Sequence, residues 1–118
     1  VFRAKLYLAR FLKTGAGDGV LAIGLTTQGQ SMFPKPVARL EINTYAYESS
    51  PMVKPTGFRE YDARWLFEKE INLMGVQALG LGLGTLIHDM GVTPEVVTGH
   101  DFRAYSASIK HALTVGLM

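Results

Sequence analysis

A chain of 118 residues, 47% hydrophobic and 19% charged, has material for one small domain with a single core. Its net charge of +2 comes from lysines and arginines spread along the chain, apart from Arg3, Lys5, Arg10 and Lys13, which argues against nucleic-acid binding through one basic face. The absence of cysteine excludes a disulfide framework and a thiolate ligand or nucleophile, and no apolar run approaches the roughly 20 residues that span a bilayer.

Residues 1–31 read as an upstream extension. In "VFRAKLYLARFLK", Leu8, Phe11 and Leu12 share a helical face with basic residues opposite. "TGAGDG" ends that pattern, and "VLAIGL" is a short apolar run. A basic helix lying on a membrane surface, or an organelle transit peptide, is one reading. The weak periodicity and glycine-rich exit favour another, extra sequence that the domain does not need. No membrane partner is expected. There is no clean apolar leader with a small-residue cleavage site, so the expected location is the cytoplasm. Met32 reads as a natural start.

Residues 32–56 read as an extended, proline-rich arm. Pro34, Pro36, Pro51 and Pro55 each remove a donor and push the preceding residue toward extended geometry. That disfavours a helix and leaves room for a short strand at 40–47. The arm leads into a strand expected at 57–62.

A long helix is expected over 66–90. Leu79, Leu83, Leu86, Ile87 and Met90 fall on one stripe, Glu68, Lys69 and Glu70 make a charged first turn, and Gly91 stops the helix before Pro94. "TPEVVTG" (93–99) has the β-branched run of a buried strand. A second helix follows from Tyr105 or Ser106, with Ile109, Ala112, Leu113, Gly116 and Leu117 on one face. The order strand, helix, strand, helix indicates an α/β fold with a right-handed crossover. Its sheet is only partial, so residues 57–118 read as a truncated α/β domain. Unpaired edges and an uncovered last helix make self-association an expected property of such a piece.

Several motifs carry candidate chemistry. Gly80, Gly82 and Gly84 lie mid-helix at G-x-G-x-G spacing, whereas a dinucleotide fingerprint needs G-x-G-x-x-G directly after a strand. A close helix–sheet contact is the expected role. The doublets His88-Asp89 and His100-Asp101 lack the converging ligands of a metal centre. Ser106, Ser108 and His111 share the last helix without a nucleophile elbow, and Ser106 is expected to cap it. Asp101 and Arg103 stand where a strand hands over to a helix, the ligand edge of an open α/β sheet, and are expected to pair and hold the loop. In "GFREYDARW", Arg64 offers a planar fork for phosphate, Tyr61 a rigid hydroxyl, and Glu60 or Asp62 a carboxylate to hold the guanidinium. Read from the residues alone, phosphate binding and a locally paired surface strand stand even.

Two of these stretches together resemble a known family. "FREYDARW" resembles the F-R-x-Y-D-I-R-G opening of the α-D-phosphohexomutases, the phosphomannomutase/phosphoglucomutase family. "VVTGHDFRAYS" is similar to that family's V-V-x-G-R-D-x-R-x-S-S strand–loop–helix, and the helix between them has matching length and position. The resemblance covers roughly residues 53–118. It departs from the pattern at Ala63 for isoleucine, Trp65 for glycine, His100 for arginine and Tyr105 for serine.

The resemblance implies the N-terminal part of domain 1 of a four-domain isomerase. Such an enzyme moves a phosphoryl group between C1 and C6 of a hexose phosphate through a phosphoserine and Mg²⁺. By the same likeness Tyr61 and Arg64 contact substrate or phosphoserine oxygens, while Asp101 and Arg103 are mainly structural. The family's Ser-His-Asn loop, D-x-D-x-D metal loop and G-E-x-S-G sugar loop do not occur in these 118 residues. No catalytic residue is therefore assigned here, and the piece alone is expected to be inactive and to bind no metal. The competing reading is a non-catalytic α/β interaction module.

Overall fold

The computed structural model describes Phe2–Ala4 and residues 34–118. In chain order the elements are β1 (Phe2–Ala4), α1 (Tyr45–Ser49), β2 (Ala63–Trp65), α2 (Leu73–Asp89) and α3 (Ser106–Leu117), with a 3-10 turn at Pro55–Gly57 before β2. β1 and β2 pair antiparallel, Phe2 opposite Trp65, Arg3 opposite Arg64 and Ala4 opposite Ala63. Leu8, Phe11 and Leu12, read above as one face of a basic helix, lie outside the described residues.

The proline-rich stretch differs from expectation. A short helix, α1, stands where a strand was expected at 40–47. Its cause is local: the Thr44 hydroxyl accepts the Tyr47 N–H, and Asn43 takes a left-handed φ of 63° that turns the chain into the helix. After Pro51 the chain is extended and buried. Val53 donates to the Val37 carbonyl, and Lys54 donates to the Glu70 carbonyl at 2.8 Å. Met52 and Val53 of the extended arm so become core residues.

The strand expected at 57–62 forms later, at Ala63–Trp65. Residues 59–62 make a tight turn instead, closed by the Arg59 N–H on the Asp62 carbonyl at 2.9 Å, with Phe58 and Ala63 bridged across it. Alternation along β2 turns Ala63 and Trp65 into the core and leaves Arg64 half-exposed.

The first long helix starts at Leu73, not at residue 66. Residues 66–71 form a separate loop in which Glu68 has φ 71° and donates its N–H to Ile71. Glu70 folds back so that its carboxylate accepts the Leu66 N–H at 2.8 Å and meets Lys54 Nζ at 3.0 Å. Those two donors, the main-chain N–H first, hold the Glu70 carboxyl below its ordinary pKa. The cap of α2 is Asn72, whose side-chain oxygen accepts the Gly75 N–H. At the other end Gly91, at φ 64°, supplies the left-handed residue that stops the helix.

α2 and α3 pack closely through glycine. A Cβ on Gly80 would strike the Leu113 carbonyl, and one on Gly116 would strike the Gln77 carbonyl and the Leu81 N–H. Gly80 and Gly84 thus serve a helix–helix contact, which replaces the helix–sheet contact expected of them. The expected leucine stripe flanks this contact and is half-buried, while Val76 and Leu79 reach the core beside Ile109. Contacts advance in the same sense along both helices, from Gly80 against Leu113 to Gly84 against Leu117. The connection between them therefore returns along the pair.

That returning segment is not a strand. Residues 93–99 have no regular structure, and Val97 is 100% exposed. A buried strand needs a neighbouring ladder, and among the described residues none lies alongside 94–99. The second helix, expected from Tyr105 or Ser106, is present as α3. No helix among the described residues is long and apolar enough to cross a membrane.

Candidate functional site

The turn and strand at 59–65 build the first candidate site. The Arg59–Asp62 closure places Tyr61 in the turn, 74% exposed. Asp62 and Arg64 are two residues apart on extended chain and share its outer face. Arg64 Nε donates to Asp62 Oδ2 at 2.6 Å, with the two side chains 41% and 17% exposed. Of the two carboxylates considered for the guanidinium, Asp62 is the one it meets. Glu60 stands exposed in the turn.

Beneath this face lies Trp65, 1% exposed and the largest fully buried side chain. Its indole N–H donates to the Lys54 carbonyl at 2.8 Å, and Phe58 meets it edge-on at 5.1 Å. The ring occupies the space over Gly57, where any Cβ would collide with the indole. A tryptophan at the position where the resemblance has glycine is thus accommodated from below, by a glycine in the preceding turn.

The second candidate group is the turn before α3. Asp101 accepts the Arg103 N–H at 3.1 Å and the Ser106 hydroxyl, and meets Arg103 Nη1 at 2.6 Å. The Ser106 hydroxyl first, then the Arg103 N–H, holds the Asp101 carboxyl below its ordinary pKa. Asp101 and Arg103 do pair and hold the loop. Ser106 is the first helical residue, and its hydroxyl donates outward to Asp101 instead of capping a helix N–H. Tyr105 stacks on Phe67 at 5.2 Å, which ties the start of α3 to the 66–71 loop.

The remaining candidates stay apart. His88 and Asp89 are exposed and 3.6 Å from each other at the end of α2, and His100 Nδ1 lies 2.8 Å from the Asp101 carbonyl. Among the described residues no three His, Asp or Glu side chains gather as metal ligands. These carboxylates and imidazoles do not fit a Mg²⁺ site.

The residues described above match one family model, "Phosphoglucomutase/phosphomannomutase, alpha/beta/alpha domain I", over residues 55–118, more than half of the chain. The chain belongs to the phosphoglucomutase/phosphomannomutase family. The match begins at the turn before β2 and includes β2, α2 and α3, so this stretch is part of an α/β/α domain I, without a full sheet among the described residues. Comparison with curated proteins and with solved structures yields no significant match.

Two structural residues escaped the reading of the sequence. Asn72 is 1% exposed and makes four side-chain bonds, and Trp65 centres the core. A signal existed for the first, because asparagine directly before an apolar helical run marks an N-cap. None existed for the second, since an aromatic beside charged residues reads equally as surface.

Proposed function

We propose that this chain serves as the opening part of a cytoplasmic phosphohexomutase, an isomerase that moves a phosphoryl group between C1 and C6 of a hexose phosphate. What supports the reading is the domain I match together with Arg64 held at 2.6 Å by Asp62 on the outer face of β2. In this role Arg64 takes phosphate oxygens on its terminal nitrogens, and the Tyr61 hydroxyl donates to the same group. Mg²⁺ would belong to parts of the enzyme that carry a carboxylate loop. By itself the 118-residue chain is inactive in this reading.

The test is steady-state kinetics of the full-length enzyme with hexose 1-phosphates. Arg64→Ala should lower kcat/KM roughly ten- to a hundred-fold, since a charge-assisted contact contributes about 1.5–3 kcal/mol. Arg64→Lys should restore it only in part, because an ammonium lacks the planar fork. Arg59→Ala should be nearly silent. Crippled turnover in Arg59→Ala with normal turnover in Arg64→Ala would show that the wrong arginine has been assigned.

The division of the chain belongs to the same proposal, with residues 1–31 as an extension dispensable for folding. Their removal deletes β1 and its three cross-strand pairs, while the buried hydrophobic residues among those described run from Tyr47 to Ile109. A fall in thermal midpoint of about 10 °C at most is expected, the loss of a short ladder. A much larger fall would show that the extension packs on the core.

Self-association also follows from this reading, since Val97 and Phe102 are 100% and 98% exposed on a segment without a ladder. Sedimentation velocity should show mass rising with concentration above the 12.9 kDa of one chain. A single monomeric species across the whole range would count against it.

A further inference from the structure

We propose that Asp62 is a positioning residue for phosphoryl transfer, acting through Arg64. The inference rests on the phosphohexomutase reading of this site and adds to it the residue that aims the guanidinium.

The geometry favours that role. Asp62 Oδ2 lies 2.6 Å from Nε, the one guanidinium nitrogen that is bonded to the arginine's own stem. A carboxylate on Nε fixes the ring-like plane of the guanidinium and leaves its terminal nitrogens pointing onward as a fork. The holder is itself held. Its carbonyl accepts the Arg59 N–H, the next residue is buried in β2, and its side chain is only 17% exposed. Its short side chain has two torsions to order, against the long, flexible stem of Arg64.

Two opposed effects decide what substitution does. The carboxylate cancels much of the charge of Arg64, which weakens plain attraction for an anion. It also removes the rotational freedom that the arginine would otherwise lose on meeting phosphate, and a misaimed group forfeits rate in the transition state. If aim dominates, an amide should serve nearly as well as a carboxylate, because its oxygen still accepts from Nε. If charge cancellation dominates, amide and alanine should act alike.

The experiment compares Asp62→Ala, Asp62→Asn, Arg64→Ala and the double variant Asp62→Ala/Arg64→Ala in the full-length enzyme. Interconversion of hexose 1- and 6-phosphate is assayed, with thermal melts to confirm the fold. Asp62→Ala is expected to lower kcat about tenfold with little change in KM, and Asp62→Asn to recover most of that loss. The double variant should be no slower than Arg64→Ala, because the aspartate has nothing left to aim. Normal kcat in Asp62→Ala beside an impaired Arg64→Ala overturns the inference and leaves the phosphate role of Arg64 standing. Multiplied losses in the double variant overturn it equally. A silent Arg64→Ala overturns both the site reading and the inference built on it.

Discussion

Asn72→Ala should unfold much of this domain's stability, with a loss of about 4 kcal/mol. The Asn72 oxygen accepts the N–H of Met52 at 2.9 Å and of Gly75 at 2.8 Å. Its amide nitrogen donates to the carbonyls of Tyr47 at 2.7 Å and Ser50 at 2.8 Å. One side chain thus joins α1, the buried Met52–Val53 segment and the first turn of α2. Alanine removes a helix cap and also strands main-chain groups in a place that water reaches poorly, and the stranded groups are the larger part. Each kcal/mol moves the midpoint of a domain this size by roughly 4–8 °C, so a thermal melt should fall by tens of degrees. Asn72→Asp separates the two roles. It keeps the oxygen for both N–H groups, but offers Tyr47 and Ser50 no donor when ionised and a single O–H when protonated. Burial beside two carbonyls should raise that carboxyl's pKa in the folded state, so the variant's deficit should be smallest below the ordinary carboxylate range and grow as pH rises through the raised value. An Asn72→Ala midpoint within a few degrees of the parent would refute the clamp.

Trp65→Ala is the second large effect, expected to cost about 3–5 kcal/mol through the cavity left behind. Val53, Ala63, Ile71, Val76 and Ile109 complete the cluster around it, and the indole N–H would abandon the Lys54 carbonyl. Trp65→Phe should retain most of the packing and lose mainly that hydrogen bond, about 1 kcal/mol. As the chain's single tryptophan, Trp65 also reports on its own surroundings by fluorescence. The parent should emit as a buried indole and shift to longer wavelength in the same transition that circular dichroism follows. Emission already characteristic of an exposed indole before unfolding would contradict its place in the core.

These two residues show how far the chain's pattern could be read. Local signals carried what is local. Gly91 before Pro94 marked the end of α2, and the apolar face from Ile109 to Leu117 marked α3. The two motifs identified the domain, and Asp101 and Arg103 pair within their own turn.

The remainder depended on partners distant in sequence. Periodicity started the first helix at residue 66, but Asn72 is fixed there by Tyr47, Ser50 and Met52, more than 19 positions upstream. Prolines argued against a helix in the arm, yet prolines at 36 and 51 leave the intervening turn free to be capped by Thr44. β-branched residues at 96–98 argued for a strand, but a strand is a property of a pair, and no ladder lies beside them among the described residues. The sequence by itself determined the family and the presence of the two long helices. Tertiary structure decided which carboxylate meets Arg64, which face of α2 packs on α3 and where Trp65 goes, because each depends on distances between segments that no local spacing encodes.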